Sequence, residues 1–173
     1  MLTLKQVKKL TKSATDKQLC KEGKVYTGET WWTNTFVAFW EKLPEGTAQD
    51  WLVKQPNPQA YERLTGMARA CGIKVWPVAI QGLADSLEGM YKSKGDAITS
   101  QVLLSDGTES VWIDGRYLAA FLKRGATDFY LAPRSKCVAC HNGHALGLVM
   151  GMEECPHEWR LANWELPKDQ EGK

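Results

Sequence analysis

A chain of 173 residues that is 43% hydrophobic suits one domain with a real apolar core, which excludes a largely disordered protein and a fold dependent on cross-links. Its 22 Lys and Arg against 20 Asp and Glu leave a formal charge of +2, so any basic footprint must come from where the charges sit. The segment MLTLKQVKKLTKS has no apolar signal region, no later stretch approaches the ~20 apolar residues that span a bilayer, and five cysteines without a secretion signal point to reduced thiols. A cytoplasmic protein is expected.

From Leu4 to about Ser13, Leu4, Val7 and Leu10 recur at helical spacing, and Lys5, Lys8, Lys9 and Lys12 fall together on the opposite side. KVYTGETWWTNTFVAFWEKL is rich in aromatic and β-branched residues and reads as two strands turning at Gly28-Glu29. Pro56 and Pro58 then mark an extended connection or short helix start, taken as a linker within the domain. VWPVAI reads as a strand, and GLADSLEGMYKS as a helix stopped by Gly95. Asp106-Gly107 between two β-rich runs is a strong hairpin signal. From Gly115 to Arg124 the period becomes helical, with Leu118, Phe121 and Leu122 on one side, Arg116 and Lys123 on the other and Arg124 at one flank. Gly125 stops that helix, TDFYLA is a strand, and Asn142-Gly143 turns a hairpin between Cys137–His141 and His144–Met150. The tail from Glu153 is polar apart from Trp159, Leu161, Trp164 and Leu166, and KDQEGK reads as disordered.

KCVACHNGH contains C-x-x-C-H, the spacing of a c-type haem attachment, and Cys137, Cys140, Cys155 and His157 supply a chemically acceptable zinc set. Cys137 and Cys140 differ by three residues, so a regular strand points them to opposite faces and they cannot share one metal. Buried structural thiols are therefore expected, with no metal and no cofactor. Gly-rich phosphate loops, H-E-x-x-H, G-x-S-x-G and paired carboxylates do not occur, and the chain reads as a non-enzyme.

An amphipathic helix followed by antiparallel strands thus occurs twice, and two such halves sharing a core would put both helices, and their basic sides, on one face of the sheets. At this point the residues meet a family. LLSDGTESVWIDGRYLAAFLKRG followed by DFYLAPRSKCVACHNGHALGLVMGM resembles bacterial DNA polymerase III beta sliding clamps, most of all the short single-domain clamp-like proteins of phages and prophages. That family has an IDxRYL-type helix, a strand ending in APR, and a hairpin closing on an apolar LVMPM-like strand. LTLKQVKKLTKSATD with the strands after it, and PNPQAYERL, are similar to the family's first helix and its PDYERV-like segment, so the likeness covers most of Leu2 to Met152.

The resemblance implies an α+β, DNA-clamp-like domain over residues 1–152, with halves at about 1–55 and 73–152 joined by a linker and a partly disordered tail at 153–173. It also implies a ring whose basic helices contact duplex phosphates without reading bases. Candidate DNA-binding residues are Lys5, Lys8, Lys9, Lys12, Arg116, Lys123 and Arg124. A DNA polymerase or other replication protein is the expected partner, and one domain per chain asks for a homo-oligomer. The alternative is a clamp-fold interaction module that modulates or decoys host replication proteins without encircling DNA. Eight tryptophans favour a sticky surface, with Trp31, Trp32, Trp159 and Trp164 as candidate partner-binding residues. A small zinc-binding nucleic-acid protein is a third reading.

Overall fold

Residues 1–11, 25–47, 52–53, 58–81, 101–152 and 160–161 are described by a computed structural model. In chain order the elements are α1 (Leu4–Thr11), β1 (Val25–Thr27), β2 (Trp32–Thr33), β3 (Val37–Phe39), β4 (Leu52–Val53), α2 (Pro58–Ala70), β5 (Ile73–Gln81), β6 (Gln101–Ser105), β7 (Ser110–Asp114), α3 (Gly115–Lys123), β8 (Asp128–Ala132), β9 (Cys137–His141), β10 (Ala145–Met150) and β11 (Arg160–Leu161). The strands form an 11-stranded sheet in the order β4-β1-β2-β3-β10-β9-β8-β5-β6-β7, with β11 beside β5. Among the described residues only β1 and β4 pair in parallel, so the fold is α+β on a mostly antiparallel sheet.

The period of two along each strand sorts the core into two layers. Val37, Phe39, Phe129, Leu131, Val138, Cys140 and Val149 face the main core, shared with Val7 and Leu10 of α1 and Leu118 and Phe121 of α3. Ala38, Ala132, Cys137, Ala139 and Leu148 face the other way, onto Leu64, Met67 and Ala68 of α2. α1 and α3 pack into the main core, and α2 packs on the other layer. Cys137 and Cys140 lie in different layers, as the strand period requires.

Gly147 lets the layers meet. A Cβ there would collide with the Ala38 carbonyl oxygen and stand 2.6 Å from the Phe121 ring, so β10 and β3 could not pair over α3. The sheet also closes on itself. β5 has a register shift between Pro77 and Ala79 where it leaves β8 for β6, and beyond β10 the Met152 N–H donates to the Trp112 oxygen of β7 at 2.7 Å.

Local chemistry sets the ends of α3. Asp114 caps it by accepting from Arg116 N–H at 2.9 Å, and Gly125 at φ +82° ends it while the N–H groups of Gly125 and Ala126 return to the carbonyls of Leu122 and Phe121.

Three expectations need correction. The stretch read as a linker contains the 13-residue α2, and Pro58 is its first residue, a position where the missing N–H costs nothing. The aromatic run makes three short strands, β1 to β3, instead of two, because the chain turns again between Thr33 and Val37. The last hairpin has residues 142–144 in its loop and a register shift between Ala145 and Gly147, so His144 is not in the return strand. The helix expected in GLADSLEGMYKS and the KDQEGK tail lie outside the described residues.

Candidate nucleic-acid interface

Asn34 ties the two helices of the main-core side together. Its Nδ2 donates to the Leu10 carbonyl of α1 and to the Tyr117 hydroxyl of α3, both at 3.0 Å, while its Oδ1 accepts from the N–H groups of Phe36 and Val37. All four hydrogen-bonding positions of the amide are used, which fixes where α1 ends relative to α3. The tie depends on a tight turn in which Thr35 takes φ +78°, an unfavourable conformation for a β-branched residue. Thr33 holds that turn, its hydroxyl donating to the Val37 oxygen at 2.7 Å and accepting from Thr35 N–H at 3.0 Å. Thr35→Gly is therefore expected to stabilise the protein by about 1 kcal/mol, since glycine meets no penalty at positive φ. Urea unfolding gives the test: a lower midpoint would mean that Thr35 is not strained.

The candidate cations divide into two groups. Lys5 on α1 and Lys123 on α3 are exposed. Lys8 and Lys9 follow Lys5 on the same helix, and Lys12 lies outside the described residues. Arg116 folds back on its own cap: Nε stands 3.0 Å and Nη2 2.6 Å from Asp114 Oδ2, with only 8% of the side chain exposed. Arg124 is a structural residue. Its Nη2 lies 2.7 Å from Oε2 of Glu41, whose side chain is buried, and its guanidinium carbon is 5.5 Å from the centroid of the Phe39 ring. The same carboxylate accepts from Leu2 N–H at 2.9 Å and lies 3.8 Å from the terminal amine, so it anchors the start of the chain as well.

Trp31 and Trp32 are buried, which corrects their reading as surface anchors. Trp32 is wholly enclosed and stacks on Phe39 at 4.8 Å, and Trp31 packs beside Tyr61 of α2 at 5.7 Å. Trp159 and Trp164 lie outside the described residues, as do Cys155 and His157 of the zinc set. The large apolar side chains that do reach the surface include Phe36, Tyr61, Val78 and Met152.

Two residues of this side were not singled out by sequence. Asn34 sits between threonines in a stretch read as continuous strand, yet T-N-T is a turn composition. Glu41 is an acid closing the apolar run FVAFW, and such a charge needs a partner. Among the described residues no helix is long and apolar enough to cross a membrane. Compared with protein-family models, curated proteins and solved structures, the chain matches none.

Proposed function

We propose that this chain is a non-enzymatic, sliding-clamp-like accessory that binds duplex DNA without sequence preference through the side bearing α1 and α3, and tethers a polymerase or another replication protein. The observation that carries this reading is the strand order β1-β2-β3-β10-β9-β8. One helix precedes each set of three antiparallel strands, and the two sets meet antiparallel at β3 and β10, an order that supports reading the chain as two repeated halves. Exposed Lys5 and Lys123 lie on the paired helices, where a phosphate backbone would be met. With Arg116 and Arg124 engaged in ion pairs, each copy offers few cations, and several copies around one duplex would supply the rest.

Replacing Lys5, Lys9, Lys12 and Lys123 with Glu should abolish binding to long duplex DNA while the protein still unfolds in one cooperative step. Wild-type binding should weaken as salt rises, with a slope of about −0.9 per phosphate contact, and should be indifferent to base sequence. A ring stays on circular duplex after the salt is raised and slides off linear duplex of equal length. Equal loss from both would reduce the reading to surface binding, and no binding at any salt would overturn it.

A second reading, the interaction module that does not encircle DNA, is favoured by one feature. Phe36 is 53% and Met152 38% exposed, and both stand at the end of β10, where Met150 N–H donates to the Phe36 oxygen. Exposed large apolar side chains are the kind of surface that a protein partner would cover.

A further inference from the structure

Cys71 and Cys137 meet within the α2-facing layer of the core. Cys71 follows the last residue of α2, Cys137 opens β9, and their sulfurs stand 3.6 Å apart across a sequence separation of 66. Both positions lie at the ends of elements: the residue before Cys137, Lys136, sits at φ +49°, and Cys71 N–H reaches back to the Ala68 carbonyl in the last turn of α2. Ser135 Oγ lies 2.9 Å from the Cys137 sulfur, and Ser135 also lines a largely apolar groove of about 520 Å³, bounded by Gly66, Met67, Ala70 and Pro133. A small solute in that groove is one residue away from the buried sulfur. We propose that Cys71 and Cys137 are a redox couple, reduced at rest and oxidised to a reversible disulfide by hydrogen peroxide entering beside Ser135.

The chemistry follows from the arrangement. The Cys137 sulfur is in hydrogen-bond contact with the Cys71 thiol and the Ser135 hydroxyl, and these contacts lower the Cys137 thiol to about 7, while the contact with Cys137 and burial push Cys71 up. The pair therefore ionises first at Cys137, leaving the thiolate there and the proton on Cys71. That thiolate attacks one peroxide oxygen; the O–O bond breaks, hydroxide leaves, and Cys137 becomes a sulfenic acid. The Cys71 sulfur then attacks the Cys137 sulfur, the S–O bond breaks, and the departing oxygen leaves as water with the Cys71 proton. Two sulfurs have lost two electrons, and peroxide has become one water and one hydroxide. Closure needs the sulfurs to move from 3.6 Å to about 2.05 Å, within reach of side-chain rotation at two element ends. Cys140 takes no part, because burial in the main core pushes its thiol far up and keeps it protonated.

The test uses the reduced full-length protein and one equivalent of hydrogen peroxide, read by intact mass and peptide mapping. The expected product has lost two hydrogens, maps to Cys71–Cys137, returns to the starting mass with dithiothreitol, and forms faster as pH rises through about 7. Cys71→Ser should stop at a Cys137 sulfenic acid trapped by dimedone, and Cys140→Ser should react like wild type. Mapping to any other pair, or the same yield in denaturant, would overturn the assignment. So would the absence of any disulfide with Cys71 and Cys137 unmodified.

Discussion

Glu41→Ala lowers the unfolding free energy by about 3–5 kcal/mol, because it strands the Arg124 guanidinium without its counter-charge in a largely dry site. The two side chains are 8% and 15% exposed, and the carboxylate also holds Leu2 N–H, so the variant loses the anchoring of the chain start at the same time. Urea unfolding followed by tryptophan fluorescence measures the loss. Glu41→Leu with Arg124→Met should restore most of it, since replacing a buried ion pair by apolar groups of similar volume is close to neutral. A cost under about 1 kcal/mol for the single change would mean that water screens the pair. The result also bears on the DNA proposal: Arg124 would affect stability and leave the salt dependence of binding unchanged.

Phe39→Ala is the other severe change, expected to cost about 3–5 kcal/mol. Phe39 is fully buried, its ring lies 4.8 Å from Trp32 and 4.6 Å from Phe121, and it stacks with both. Truncation opens a cavity between β3 and α3 and removes two aromatic contacts, each worth about 0.5–1.5 kcal/mol beyond area burial. Phe39→Leu, which keeps most of the volume, should cost clearly less. Thermal unfolding of the two variants separates the cases, and equal losses would show that the ring contacts contribute little.

The part of the fold legible in sequence is the part built from local signals. Asp106-Gly107 forecast the β6–β7 hairpin, the period around Leu118 and Phe121 forecast α3, and the cysteine spacing forecast opposite faces for Cys137 and Cys140. Strands of two or three residues, such as β2 and β3, are too short to show a period, so the aromatic run looked like fewer, longer ones. Pro56 and Pro58 suggest an extended connection or a short helix start, and neither signals the helix length that follows from Pro58 as its first residue. At the candidate site, Lys5 and Lys123 are exposed as their helical positions suggested. Arg124 carries the same local signal as Lys123, yet it is bound to Glu41, a contact between distant parts of the chain that no local pattern encodes. Asn34 bridges segments 24 and 83 residues away, and its role is invisible for the same reason.

The pairing of β3 with β10 has a consequence during synthesis. On one edge Ala38 and Phe39 pair locally with Thr33 and Trp32, but on the other Val37, Ala38 and Phe39 pair with Val149, Leu148 and Gly147, which the ribosome delivers after α2 and all of β5 to β9. At roughly 5–20 residues per second, the first aromatic strands wait several seconds with Trp32 and Phe39 uncovered. During that interval the nascent chain carries uncovered apolar surface, and pairings this distant in sequence make the final docking slow.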